Sequence, residues 1–106
     1  MNVITAAFSS AAGGDVAAIA AQGGTTCIRI HRVVLSNGVA TAQAVILKDG
    51  ATALTGAMAL PTSVGGLFVL EGSPGNPLFV LSQNSAFNIN EAAATSVTGF
   101  VQYTLG

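Results

Sequence analysis

Apolar and polar residues alternate with a period of two through most of this chain, the spacing of strands that bury one face. The clearest run is CIRIHRVVL, residues 27–35. Strict alternation there places Ile28, Ile30 and Val34 on one face, and Cys27, Arg29, His31, Val33 and Leu35 on the other. Ser36-Asn37-Gly38 supplies turn residues that tolerate positive φ. The next run, TAQAVILKD (41–49), alternates Ala42, Ala44, Ile46 and Lys48 with Gln43, Val45, Leu47 and Asp49. The two runs are therefore predicted to be antiparallel neighbours.

Asp49-Gly50 is a strong turn signal, and ATALTGAMAL after it reads as one strand broken or bulged at Gly56 and ended by Pro61. Gly65-Gly66 precede the strand GLFVLEG, and Gly72-Ser73-Pro74-Gly75-Asn76-Pro77 is a loop by composition. LFVL (78–81) follows as a short strand. In SAFNIN (85–90), Phe87 and Ile89 oppose Ala86, Asn88 and Asn90. In the closing run, 95–105, Val97, Gly99, Val101 and Tyr103 share a face, with Phe100, Gln102 and Thr104 opposite.

Residues 14–24 could form a two-turn helix capped by Asp15, but a helix that short is marginal alone, and strand is the preferred reading. Residues 1–8 read as a further strand or an arm, which the Ser-Ala-Gly stretch 9–14 would allow to move. About eight short strands separated by turns predict an all-β fold, an antiparallel β-sandwich of jelly-roll type. Residues 1–106 form one domain, with 1–14 as its N-terminal strand or flexible arm.

Charge narrows the picture. Only 7% of residues are charged, against about 25% in an average soluble domain. With 19 alanines, 13 glycines and many Ser, Thr, Asn and Gln, the surface must be clothed largely in small neutral side chains, which lose little when desolvated in a contact. Burial in an oligomer or a shell is the expectation. The three basic residues, Arg29, Arg32 and Lys48, are too few for a nucleic-acid footprint or a polybasic membrane patch, so neither partner is expected.

Residues 50–70 carry no charge, but Gly50, Gly56, Pro61, Gly65 and Gly66 interrupt them, which favours strands and turns over a membrane span. Cys27 is the sole cysteine, so no intrachain disulfide can form, and its apolar neighbours predict a buried structural thiol. The first residues lack the basic and long apolar regions of a secretion signal, and no export is expected.

The titratable residues available for chemistry are Asp15, Asp49, Glu71, Glu91 and His31. Asp15, Asp49 and Glu71 adjoin glycines, where a solvated turn position explains them. Cys27 and His31 share a strand face but stand four residues, about 13 Å, apart, too far for a nucleophile and its base. One Cys and one His cannot make a zinc site, although a threefold axis could gather three copies of His31. No glycine pair sits in a phosphate-loop pattern. Neither enzymatic activity nor a cofactor is predicted. Arg29 and His31, with Arg32 on the opposite face, are expected to pair with acids across strands or an interface.

The succession CIRIHRVVLSN, QAVILKDGATALTGAMALP, GLFVL, PLFVL, SAFNIN and SVTGFVQYTL, spanning residues 25–106, resembles small virion proteins of tailed phages. The resemblance implies a jelly-roll sandwich, commonly trimeric, that decorates or cements capsids or forms part of a tail or fibre. These motifs encode strands and turns rather than a site, so no functional residue carries over. A threefold arrangement would also cover exposed sheet edges.

The combined expectation is a trimeric capsid decoration protein, made in the host cytoplasm and placed on the capsid surface. Its partners would be its own copies and the major capsid protein or another virion protein. The expected interface residues are Arg29, His31, Arg32, Phe8 and Tyr103. The alternative is a tail- or fibre-associated domain that binds a host glycan or another virion protein. Exposed aromatic rings are scarce for a sugar platform, since there is no Trp and Tyr103 is the one tyrosine.

Overall fold

The alternating runs form ten β-strands among the described residues, which in this computed structural model are 2–62 and 66–106. They are β1 (Ile4–Ser10), β2 (Gly14–Ile19), β3 (Ile28–Asn37), β4 (Ala44–Asp49), β5 (Thr52–Ala53), β6 (Met58–Ala59), β7 (Leu67–Glu71), β8 (Phe79–Val80), β9 (Phe87–Glu91) and β10 (Val97–Leu105). Met1, in the predicted strand or arm, and Gly65, in a predicted turn, lie outside the described residues. No helix occurs among the described residues, and 14–24 begins as strand β2.

The strands make two antiparallel sheets. The first has the order β1-β10-β3-β7, with β8 also on β3; the second has the order β2-β9-β4-β5, with β6 also on β4. β5 and β6 both pair with β4, and β7 and β8 both pair with β3, so each couple acts as one interrupted strand. Counted that way, the pairs nest outward from the β4–β5 turn: β4 with β5/β6, β3 with β7/β8, β2 with β9, and β1 with β10. This nesting is the winding of a jelly roll. The interruption at Gly56 separates β5 from β6, and the Gly72–Pro77 loop separates β7 from β8.

Asp49 pairs with Thr52 across a two-residue loop in which Gly50 has φ 58°, the left-handed value such a tight hairpin needs at its first loop position. The predicted pairing of β3 with β4 does not form. β10 takes one edge of β3 and β7 with β8 takes the other, so the chain after Asn37 crosses to the second sheet. Asn37 shapes that crossing, its amide donating to the Thr41 carbonyl at 2.8 Å and its Oδ1 accepting from the Val39 N–H at 3.2 Å.

Between the sheets lies one apolar core. The first sheet contributes Phe8, Ile28, Ile30, Val33, Leu35, Val97, Val101 and Tyr103, and the second Ile19, Val45, Leu47, Phe87 and Ile89. Leu60 and Leu81 close it from the segments after β6 and β8. Burial of each such side chain contributes roughly 1.5–3 kcal/mol. The alternation expected in β4, β9 and β10 is the alternation found, with Val45, Leu47, Phe87, Ile89, Val97 and Val101 fully buried.

β3 departs from strict alternation. Arg32 pairs with Gln102, but Ile30 pairs with Tyr103, leaving His31 as an extra residue, a β-bulge. The bulge shifts the phase by one. Ile28 and Ile30 face the core before it, Val33 and Leu35 after it, and Val34 turns to the outer face, where its neighbours leave it only 6% exposed. Arg32 consequently shares the outer face with Arg29, where strict alternation had put the two on opposite faces.

Candidate functional site

The two outer faces of the sandwich differ in chemistry. On the second sheet, register aligns Asp15, Asn90 and Ile46 in one row and Ala17, Asn88, Lys48 and Ala53 in the next. Lys48 Nζ donates to both Asp15 oxygens, at 3.1 and 2.8 Å, and the Asn90 amide donates to Asp15 Oδ1 at 2.6 Å. The Lys48 hydrogen bond, then that of Asn90, holds the Asp15 carboxyl below its ordinary value. This is a polar ladder with its charges already matched.

The first sheet presents the opposite. Ala7, Phe100, Val34 and Val69 stand side by side across four strands as an apolar row. The neighbouring row runs Ser9, Thr98, Ser36 and Leu67. Leu67 is 61% exposed and Val69 42%, so the row ends in an accessible apolar rim along β7. Val80, 50% exposed, continues that rim on β8.

On its other side the apolar row is bordered by Thr5, Gln102, Arg32 and Glu71. Arg32 pairs with Glu71 at 3.1 Å, and its guanidinium lies 5.8 Å from the centre of the Phe100 ring, a cation–π distance. Both partners of the ion pair are substantially exposed, so the bridge contributes at most about 1 kcal/mol. Its main effect is to orient Arg32 over Phe100.

Of the five predicted interface residues, Arg29 and Arg32 keep accessible surface, whereas Phe8, His31 and Tyr103 are buried. Phe8 and Tyr103 are core residues of edge strand β1 and of β10. His31 Nε2 lies 2.8 Å from Thr104 Oγ1, a buried hydrogen bond, while Nδ1 is buried without a partner. A ring held in this way cannot reach a symmetry axis, and the idea of three copies of His31 around one is corrected accordingly. Cys27 is half-buried, just outside β3.

The remaining acids stand apart from one another. Burial raises the Asp49 carboxyl, but the nearby Ser85 hydroxyl and the hydrogen bonds that Oδ2 accepts from the Ser82 N–H and hydroxyl outweigh it, leaving a net lowering. Glu91 ends β9 at the opposite end of the sandwich, 1% exposed, with neither carboxylate oxygen hydrogen-bonded among the described residues. Burial pushes its carboxyl up, and the nearby Ser10 hydroxyl, short of hydrogen-bond geometry, pulls it down less. Beside it Gln43 is fully engaged: its amide nitrogen donates to the Ala93 carbonyl (2.7 Å) and Thr95 Oγ1 (2.9 Å), and its oxygen accepts from the Ala93 and Ala44 N–H groups (3.0 and 3.1 Å).

A scan against protein-family models and searches of curated proteins and of solved structures found no match for this chain. Its surfaces therefore have to speak for themselves. The sequence reading missed the row of Ala7, Phe100, Val34 and Val69. Phe100 was already on the face opposite Val101, and the signal for the rest was the third apolar residue in Val33-Val34-Leu35, where one of three neighbours must face outward.

Proposed function

We propose that this protein is a structural component of a virus particle, a jelly-roll decoration protein that associates with its own copies and clamps shell subunits by surface contact. Many unrelated functions share the jelly-roll winding, so the fold alone does not select among them. The observation that carries the reading is the contrast between the outer faces. One is a self-satisfied polar ladder around Asp15, Lys48 and Asn90, and the other an apolar row ending in exposed Val69, beside exposed Leu67 of the next row.

Charge is nearly absent from that apolar row. Burying it against a protein partner therefore removes no Lys or Glu from water beyond the bordering Arg32–Glu71 pair. Such a face suits affinity that comes from shape and area repeated by symmetry.

Binding of purified protein to shells from which it has been stripped tests the reading. Wild-type protein is expected to rebind at saturable stoichiometry. A Leu67→Asn/Val69→Asn double variant, which alters exposed positions only, is expected to keep its fold and lose at least tenfold in affinity. Failure of the wild type to bind shells, or undiminished binding of the double variant, would overturn it.

A further inference from the structure

An antiparallel sandwich leaves edge strands whose outward N–H and C=O groups can template another chain, and proteins normally blunt them. Three of the four edges here are blunted. The β5/β6 edge is split into two strands of two residues each. The β7/β8 edge is interrupted by a loop containing Pro74 and Pro77, and β7 ends in Glu71. The β2 edge carries Asp15 and a register irregularity between Ala17 and Ile19.

β1 has none of these guards. Its seven residues, ITAAFSS, contain no charge, proline or glycine, and all seven pair in continuous register with β10. In such a ladder alternate residues turn their backbone groups away from the partner strand. Outside that ladder, no backbone hydrogen bond from another described segment satisfies residues 4–10.

We propose that β1 is a self-association edge, pairing antiparallel with β1 of a second copy about a twofold axis through Ala7, so that the two first sheets become one continuous sheet. A second copy is the occupant the sequence of the strand fits. Centred on Ala7, the twofold opposes Ala7 to Ala7, Thr5 to Ser9, Ala6 to Phe8 and Ile4 to Ser10. No like charges meet, and the outward-facing pairs are small enough to pack without a clash. The contact is isologous, unlike the threefold one that the phage resemblance implies. It deepens the self-association part of the proposed function and does not depend on shell binding.

Sedimentation of the full chain over a wide concentration range tests it with Ala7→Lys, Ala7→Glu and their equimolar mixture. Ala7 is exposed, so both variants should keep the wild-type circular dichroism. The wild type is expected to associate, each variant alone to lose at least tenfold in association, because identical charges then face each other across the axis, and the mixture to recover it. Hydrogen exchange provides a second measurement, with alternate β1 amides becoming protected as wild-type concentration rises. A wild type that stays monomeric, variants that associate as well as the wild type, a mixture that does not recover, or β1 amides indifferent to concentration would each overturn the proposal. Shell binding is measured separately, so loss of either result leaves the other readable.

Discussion

Gly99 on β10 packs so closely against the carbonyl oxygen of Val34 on β3 that a β-carbon at position 99 would collide with it. The two central strands of the first sheet are thus brought together at a point only glycine can occupy. Gly99→Ala is expected to destabilise the fold by about 3 kcal/mol, because the clash is with backbone and cannot be relieved by a rotamer change. Gly56, whose added β-carbon would meet nothing within 4 Å, is the control, and Gly56→Ala should change stability by less than about 0.5 kcal/mol. Urea denaturation midpoints of the two variants check both.

The bulge at His31 makes a second prediction. His31 and Thr104 are both buried and bonded to each other, and removing either partner strands the other polar atom. His31→Leu and Thr104→Val should each destabilise by about 1–3 kcal/mol, while the double variant should lose less than the sum. A double-mutant cycle with a coupling energy near zero would show that the hydrogen bond is not formed.

Much of the fold could be read from period two alone. In β4, β9 and β10 nothing interrupts the pleat, so Val45, Leu47, Phe87, Ile89, Val97 and Val101 sit where alternation puts them. The tight turn at Asp49-Gly50 and the break at Gly56 were also legible, since glycine marks both. What alternation could not foresee is a bulge. His31 adds a residue that no local pattern announces, and it reverses the alternation from Arg32 to Leu35, hiding the outward position of Val34.

Pairing was the other illegible part. The residues joining β3 to β4 look like a hairpin turn, and only the competition of β10, β7 and β8 for the two edges of β3 sends β4 into the other sheet. Phe8 and Tyr103 show the same limit for the candidate interface. An aromatic residue next to small ones reads equally as contact or as core, and their positions on the inward faces of β1 and β10 decide for core.

Phe8 separates these two roles experimentally. As a core residue 4% exposed, it should cost about 3 kcal/mol of stability on truncation in Phe8→Ala, and the loss should persist at concentrations where the protein is monomeric. Were Phe8 instead an interface side chain, its truncation would leave the dilute protein as stable as the wild type. Denaturation at two concentrations a hundredfold apart distinguishes the outcomes.

Glu91 provides the pH prediction. Its carboxyl is raised from the ordinary value of 4.5 chiefly by burial, so the folded state holds the proton after the unfolded chain has released it. Below 4.5 both states are protonated and the group is neutral to stability; as pH climbs past that value the unfolded state is favoured, and stability falls until the folded carboxyl also ionises. Asp15 and Asp49, whose carboxyls are lowered from 3.8, add a slope of the opposite sign that fades as pH rises well past that value, and it is common to the wild type and the Glu91 variant. Glu91→Gln has no proton to exchange, so it should match the wild type most closely at about pH 3.5, below the ordinary carboxyl value of 4.5, and exceed it by about 1 kcal/mol or more at pH 8, the scale on which a buried unsatisfied group destabilises. Urea denaturation of both proteins at the two pH values measures this, and a difference independent of pH would show that Glu91 is not buried as an unpaired acid.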